Sequence, residues 1–348
     1  MKATQKLHEM GQSLWLDNIT RSLLTSGTLD RYIRDLSVTG LTSNPTIFDH
    51  AIKNSPDYDD AIQQQFQKGK PVEDLRQAAD LFLAIHKLTS GVDGWVSLEV
   101  SPLLANDTSK TLAAVVALHA RAARPNLFIK IPGTKEGLPA IEEAIFQGVP
   151  INVTLLFSAS QYVAAAEAYL RGIERRIAAG LNPDIGSVAS LFVSRWDVAV
   201  ADKVPQPLRD QLGIAVGQQT LESYRSLIAS PRWQRVFNEG ARPQRLLFAS
   251  TGTKDPKASD TLYLEALAAP FTVNTMPETT LNALAEHGTI DTSFSLRGKD
   301  VFAKFAEAGI DTDSLAAQLQ VEGAASFVKS WTELMSCIKS KGAMLKAA

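Results

Sequence analysis

A chain of 348 residues, 45% of them hydrophobic, can bury a large core either as one α/β barrel or as two domains of ordinary size. Its 35 basic and 37 acidic residues nearly cancel, so the net charge favours neither nucleic acid nor an anionic membrane surface, and any anionic ligand needs locally placed cations. The single cysteine, Cys337, excludes an internal disulfide, and no run of about 18 apolar residues is present, so we expect a soluble, cytoplasmic protein.

Eight short apolar or β-branched runs predict eight β-strands. In chain order they are residues 14–17, 38–43, 95–100, 127–131, 151–156, 188–193, 245–250 and 271–275.

Helices are predicted between these strands. Apolar residues recur at three- and four-residue steps over 72–88, which indicates an amphipathic helix. Ser158 is placed to cap a helix that runs to about Gly180, and either Asp107 or Thr108 to cap the helix before the fourth strand. A last amphipathic helix, about 323–341, is expected to pack against the rest of the fold rather than to bind a membrane.

Strand and helix therefore alternate eight times, which predicts a (β/α)₈ TIM barrel. An open dinucleotide-binding sheet would need a G-x-G-x-x-G turn directly after its first strand, and none is found there. We expect one domain over residues 1–348. The connections after the second and sixth strands are long enough for additional helices.

Three charged residues stand near the ends of predicted strands: Asp17, Glu99 and Lys130. Parallel barrel strands are buried on both faces, so a charge there needs a reason. Because all barrel strands point their C-terminal ends at one face, these three side chains are expected to share a pocket.

Lys130 lies between Ile129 and Ile131, in a run that should be buried. Burial favours the neutral amine, which is the nucleophile, whereas nearby carboxylates favour the ammonium form. Asp17 and Glu99 could supply the proton transfers that a carbonyl-bound lysine needs. The alternatives are a Lys130–Glu99 ion pair without chemistry and carboxylates that only make structural hydrogen bonds.

Neutral polar residues recur at matching strand ends: Asn44, Asn152, Thr154 and Ser190. Each alone could be a satisfied core residue or a helix cap. Their recurrence from strand to strand favours a polyhydroxylated ligand.

Cations for a phosphate group are available from Arg195, after the sixth strand, and Lys254, after the seventh. The loop that begins at Ser250 adds hydroxyl and N–H donors, and barrels often bind phosphate at these last loops. The alternative is that both cations are ordinary surface residues.

Metal and cofactor chemistry lacks its usual motifs. The five histidines have no H-x-H or H-x-x-x-H spacing, and no Walker loop, G-x-S-x-G elbow or C-x-x-C pair is present. We expect no metal and no cofactor.

Five strand-end motifs in order, LDN, TSNPTIF, SLEVSP, FIKIPGT and NVTLLFS, together resemble the transaldolase family over most of the chain. The resemblance implies the same barrel, a Schiff-base lysine at Lys130, acid/base carboxylates at Asp17 and Glu99, and a water-holding threonine at Thr154. It also implies that Asn44 and Ser190 contact substrate hydroxyls, that Phe192 is an aromatic wall and that Arg195 binds phosphate; Asn152 is expected to bind substrate from its strand-end position alone.

One loop departs from the better-known branch of that family, which carries Ser-Phe-Arg at the seventh strand. This chain has the segment 249–254, ASTGTK, so Ser250 and Lys254 are expected to take over the second phosphate contact. The ammonium group of lysine, a point charge, would then replace the planar guanidinium group of arginine.

The resemblance implies a transfer of dihydroxyacetone. Lys130 would attack C2 of fructose 6-phosphate or sedoheptulose 7-phosphate, and the enamine left after cleavage would be accepted by erythrose 4-phosphate or glyceraldehyde 3-phosphate. The partners are then sugar phosphates, without nucleic acid or membrane, and the chain is a monomer or homodimer. Rival hypotheses are a Schiff-base aldolase on the same fold, such as a fructose 6-phosphate aldolase, and a sugar-phosphate-binding barrel without activity.

Overall fold

The computed structural model describes residues 1–54, 58, 73–291 and 298–347. Its centre is a closed barrel of eight parallel strands in which each strand pairs with its neighbour in sequence and β8 pairs with β1. The predicted (β/α)₈ barrel is therefore confirmed. The strands are β1 (Ser13–Asp17), β2 (Val38–Thr42), β3 (Trp95–Glu99), β4 (Leu127–Pro132), β5 (Ile151–Leu156), β6 (Ser187–Phe192), β7 (Gln244–Ala249) and β8 (Val273–Met276).

All eight predicted strands are present, with bounds that differ from the predicted ones by at most two residues. The largest difference is at β8, which was predicted to begin at Phe271. That residue is 72% exposed and has a left-handed backbone, φ 62°, so it belongs to the turn before the strand despite its apolar side chain.

Helices cover the outside of the barrel. They are α1 (Ala3–Glu9), α2 (Arg21–Thr25), α3 (Thr28–Leu36), α4 (Pro45–Asn54), α5 (Glu73–Leu88), α6 (Thr108–Ala122), α7 (Gly137–Phe146), α8 (Ala159–Ala178), α9 (Ser194–Val200), α10 (Leu212–Ile228), α11 (Pro231–Asn238), α12 (Leu262–Ala266), α13 (Glu278–His287), α14 (Gly298–Glu307) and α15 (Thr312–Ala347). Additional helices follow β2 and β6, as predicted.

Two of the predicted helix starts are set by capping side chains. Ser158 accepts a hydrogen bond from the Gln161 N–H at 3.2 Å and begins α8. Of the two candidates before α6, Asp107 is the cap, because its carboxylate accepts from the Lys110 N–H at 3.0 Å. Val72, the predicted start of α5, lies outside the described residues.

The barrel interior has an aromatic floor made by Trp15, Trp95 and Phe128. The rings of Trp95 and Phe128 stack with centroids 4.0 Å apart, and Trp15 lies 6.1 Å from Phe128. On each of these strands the aromatic residue precedes the charged one by two or four positions, so both point into the barrel. The floor therefore seals the barrel beneath the charges at its C-terminal mouth.

The C-terminal helix α15 is longer than the predicted 323–341, since it begins at Thr312. It does more than pack against the outside of the barrel: it contacts α4 and the end of β5. Its second half packs through Trp331, Leu334, Met335, Cys337 and Ile338 against Ala51, Ile52 and Tyr58. A hydrogen bond of 2.8 Å joins Ser330 to Thr46 on α4. The helix is thereby held across the mouth of the barrel.

Candidate active site

A cavity of about 200 Å³ opens at the C-terminal ends of the strands, far above the roughly 10–15 Å³ that one water needs. Nine of the eleven predicted site residues line it: Asp17, Asn44, Lys130, Thr154, Ser190, Phe192, Arg195, Ser250 and Lys254. The other two, Glu99 and Asn152, are not part of the wall.

Lys130 borders the cavity but is only 5% exposed, and its ammonium group has two partners. Lys130 Nζ donates to the Ser43 carbonyl at 3.0 Å and lies 3.4 Å from Glu99 Oε2. The register of β3 and β4 explains the second contact, because Glu99 and Lys130 are paired directly across the two strands. The strand pairing therefore holds the Glu99 carboxylate beside the Lys130 ammonium group.

Glu99 is poorly satisfied for a buried charge. The ion-pair distance exceeds the 2.7–3.2 Å of an ordinary hydrogen bond, and within the described chain neither carboxylate oxygen has a hydrogen-bond partner. Burial raises the pKa of Glu99, while the positive charge of Lys130 opposes that shift. A stable structural ion pair needs its remaining lone pairs satisfied, and those of Glu99 are not.

Thr154, like Glu99, has a buried side-chain oxygen without a hydrogen bond. Its side chain is fully buried, yet Thr154 Oγ1 makes no hydrogen bond to any residue that the structure describes. The backbone beside it is unusual, because Leu155 has φ 59° and the pairing of β5 with β6 is irregular between Val153 and Leu156. A buried, unpaired hydroxyl at the cavity wall is available to a ligand or a water molecule.

Asp17, at the end of β1, is held by a pair of threonines. The Thr42 hydroxyl donates to Asp17 Oδ1 at 2.8 Å, and the hydroxyls of Thr42 and Thr275 are 2.6 Å apart. Burial raises the pKa of Asp17, and this shift is opposed by the charge of Lys130, by the Thr42 hydrogen bond and by Lys254. The charge of Lys130 thus acts on both Asp17 and Glu99.

Asn152 lies beneath the cavity rather than in its wall. Its amide group donates to the Ser97 hydroxyl at 3.0 Å and accepts from the Ser190 hydroxyl at 2.7 Å, and its side chain is fully buried. In this arrangement Asn152 orients Ser190, which does line the cavity. Direct contact of Asn152 with a substrate stays a prediction.

Asn44 has a local structural role as well as a place in the wall. Asn44 Oδ1 accepts from the Ile47 N–H at 3.1 Å, which ties it to the first turn of α4. The helix-cap alternative is therefore real for this residue, although its side chain also borders the cavity.

Two cations stand at the rim. Arg195, near the start of α9, and Lys254, in the loop after β7, are exposed, and neither forms an ion pair or a side-chain hydrogen bond in the part of the chain that the structure describes. Ser250 lies near them with φ 55°, its hydroxyl 2.9 Å from that of Ser194. Unpaired cations beside a hydroxyl form a site that attracts an anion.

Eight residues that border the cavity were not among the predicted site residues, and Thr42, Thr275 and Phe327 are three of them. Both threonines stand near the ends of predicted strands, so the rule that selected Asn44 and Thr154 could have selected them. Phe327 comes from α15, and no local signal relates that helix to a strand-end pocket.

The described residues offer neither a metal site nor a membrane-spanning helix. No group of three or more His, Cys, Asp or Glu side chains there has the arrangement of a metal site. No described helix combines the length and the apolar character needed to cross a membrane.

Comparison with known proteins gives a consistent result. The family described as transaldolase/fructose-6-phosphate aldolase matches residues 14–338. A transaldolase of Saccharopolyspora erythraea is 42% identical over 97% of this chain and 97% of its own length. Transaldolases of Thermobifida fusca, 43% identical over 95% and 96%, and Trichodesmium erythraeum, 37% identical over 97% and 96%, match similarly.

Proposed function

Because the chain belongs to the transaldolase/fructose-6-phosphate aldolase family, we propose that it transfers a dihydroxyacetone unit from a ketose phosphate to an aldose phosphate through a Schiff base on Lys130. The observation that carries this proposal is the buried Lys130 amine at the cavity, 3.4 Å from a carboxylate without hydrogen bonds. The similarity to proteins named transaldolase supports transfer rather than simple cleavage.

The first half of the reaction forms the imine. The neutral amine of Lys130 attacks the C2 carbonyl of fructose 6-phosphate or sedoheptulose 7-phosphate, and the carbinolamine loses water to give an iminium ion. Glu99 and Thr154 serve this dehydration by holding a water that carries protons between them, which suits their unpaired oxygens.

The second half breaks and remakes a carbon–carbon bond. Asp17 accepts the proton of the C4 hydroxyl as the C3–C4 bond breaks, and the iminium takes up the electron pair to become an enamine. The aldose phosphate leaves, and erythrose 4-phosphate or glyceraldehyde 3-phosphate then accepts the three-carbon unit. Asn44 and Ser190 hold hydroxyls, and Arg195, Lys254 and Ser250 hold the phosphate.

Borohydride reduction tests the nucleophile. In the presence of fructose 6-phosphate, the peptide that contains Lys130 should gain a dihydroxyacetone-derived mass, since only an imine is reduced in this way. Lys254, a second lysine at the same cavity, is the internal control and should stay unlabelled. Label on Lys254, or undiminished labelling of a Lys130→Met variant, would contradict the proposal.

Dependence on an acceptor separates transfer from the aldolase alternative. With fructose 6-phosphate as the donor, the amount of transfer product should rise in proportion to the erythrose 4-phosphate added. Little free dihydroxyacetone should be released. Steady release of dihydroxyacetone without an acceptor would instead identify a Schiff-base aldolase. A cytoplasmic location and a monomeric or homodimeric state belong to the same proposal; the single cysteine, which allows no internal disulfide, fits the location.

A further inference from the structure

Gln320, on the C-terminal helix α15, joins the ends of two adjacent barrel strands. Its side-chain nitrogen donates to the Leu155 carbonyl at 2.9 Å and to the Gly133 carbonyl at 3.1 Å. An amide NH₂ group has two hydrogens, so both are used in these bonds. Gln320 is half-buried and lies on a helix that also brings Phe327 to the cavity.

Both carbonyls belong to the backbone that surrounds Thr154. Leu155 is the next residue in the chain, and the Gly133 N–H donates to the Thr154 carbonyl at 2.7 Å. Gln320, Gly133, Thr154 and Leu155 therefore form a closed ring of hydrogen and peptide bonds. Any shift of Gln320 acts on Thr154 from two sides.

This piece of backbone needs such support. Leu155 has φ 59°, a left-handed conformation that costs a non-glycine residue of the order of 1–3 kcal/mol and persists only where its surroundings hold it. Regular pairing of β5 with β6 is interrupted at the same place, between Val153 and Leu156. The hydrogen bonds from Gln320 supply the restraint that the interrupted ladder does not.

We propose that Gln320 is a positioning residue that keeps the Thr154 hydroxyl directed into the cavity by holding Leu155 and Gly133. The C-terminal helix then takes part in the reaction at a distance, by setting the geometry of the dehydration step. The inference rests on the proposed function, because the role of Thr154 in that step belongs to it.

The matched pair of variants is Gln320→Met and Gln318→Met. Methionine keeps the length and flexibility of glutamine but donates no hydrogen bond. Gln318 is an exposed residue two positions earlier on the same helix, and among the described residues its side chain bonds only to Glu322, at 2.7 Å. The rate of imine formation is measured by quenched flow into borohydride with fructose 6-phosphate.

The expected result is a loss of about 10-fold in this rate for Gln320→Met and no more than about 2-fold for Gln318→Met. Gln320→Asn, which keeps the amide but is too short to reach both carbonyls, should fold normally and show a loss in the same direction. Equal rates for Gln320→Met and Gln318→Met, with Gln320→Asn unimpaired, would overturn the inference.

A double-mutant cycle shows whether the effect passes through Thr154. In a Thr154→Val background, Gln320→Met should change the rate by less than about 2-fold, because the hydroxyl it positions is already absent. Full additivity of the two losses would mean that Gln320 acts only on general stability, which overturns the inference. Failure of the wild-type protein to label Lys130 would instead overturn the proposed function, so the two failures are distinguishable.

Discussion

Two of the predicted site residues, Glu99 and Thr154, leave buried side-chain oxygen atoms without hydrogen bonds. Other buried polar atoms without a partner, such as Asn126 Oδ1 and the Tyr162 hydroxyl, do not border the cavity, and both ends of the Asn152 amide are occupied. A buried carboxylate or hydroxyl without a hydrogen bond lowers the free energy of unfolding, by about 1–3 kcal/mol for a hydroxyl. Such a cost is expected where the polar atom is needed by a reacting molecule.

The pKa of Asp17 predicts the acid limb of the pH–rate profile. Asp17 must be ionised to accept the C4 hydroxyl proton, so activity is present above its pKa and is lost as the pH falls through it. Burial raises that pKa above the usual 3.8, and the acid limb of kcat/KM should therefore lie above pH 3.8.

Thr42→Val tests this assignment, because it removes the hydrogen bond that stabilises the Asp17 carboxylate. The acid limb should move to still higher pH, as measured by kcat/KM from pH 4 to 8. Thr39→Val is the control: Thr39 lies on the same strand and bonds to the Leu14 carbonyl, at 3.4 Å, instead of Asp17. If the acid limb of kcat/KM lies at the same pH in both variants as in the wild type, Asp17 is not the group that accepts the proton.

We expect the two cations at the rim, Arg195 and Lys254, to set the preference for phosphorylated over unphosphorylated donors. Arg195→Ala should lower kcat/KM for fructose 6-phosphate by about 10- to 150-fold and leave fructose nearly unaffected, because a charged hydrogen bond to phosphate is lost. Lys254→Ala should have a smaller effect, since an ammonium group is a point charge where a guanidinium engages two oxygens.

Lys257→Ala provides the control, as it removes an exposed lysine from the same loop that does not border the cavity. Its kinetics with both donors should match those of the wild type. If neither Arg195→Ala nor Lys254→Ala changes the ratio between donors, the phosphate binds elsewhere in the barrel mouth.

At the level of secondary-structure elements, helix α15 completes a pocket that the strands begin. Phe327 borders the cavity and makes an edge contact with Phe192, with ring centroids 6.5 Å apart, while Phe192 in turn contacts Phe157 at 5.3 Å. These rings form an apolar side wall. Exclusion of water is important there, because an enamine that is protonated would be released as dihydroxyacetone instead of being transferred.

Phe327→Ala should therefore raise the release of free dihydroxyacetone several-fold relative to transfer, as measured by product analysis with and without erythrose 4-phosphate. Leu334→Ala shortens a buried side chain of the same helix at its contact with α4, away from the cavity. Both variants should lose about 2–5 kcal/mol of unfolding free energy. An equal rise in release for Leu334→Ala would mean that a loosened helix, and not the missing ring, admits water.

At the scale of the whole molecule, the barrel closes around its aromatic floor because Gly40 leaves room for the indole rings of the neighbouring strands. Gly40 pairs with Trp15 on β1 and with Trp95 on β3. A Cβ atom at position 40 would lie 2.6 Å from the Trp15 indole nitrogen, which donates to Asp93 at 2.8 Å. The absence of a side chain at Gly40 is thus a condition for the indole to occupy the barrel.

Gly40→Ala should lower the free energy of unfolding by roughly 1–3 kcal/mol, measured by urea denaturation, because the added methyl group overlaps a fixed ring. Trp15→Phe replaces the indole with a smaller phenyl ring. When it is combined with Gly40→Ala, it should recover part of that loss, so that the double variant is more stable than additivity predicts. Strict additivity would show that the methyl group is accommodated by movement elsewhere.

The sequence by itself determined the barrel, the approximate bounds of its strands and the side chains that gather at its mouth. These properties are local: apolar runs mark buried strands, and a charge such as Lys130 at a strand end stands out against them. Since parallel strands in a barrel share one direction, strand-end position alone predicts which side chains meet.

Only the tertiary structure decided what depends on register and on packing between distant segments. It paired Glu99 with Lys130 across β3 and β4, and it placed Asn152 beneath the cavity. It also carried Gln320 and Phe327 to strand ends more than 130 residues earlier in the chain. The periodicity of α15 shows that the helix has an apolar face but not which surface covers it, because that choice depends on the shapes of elements far away in sequence.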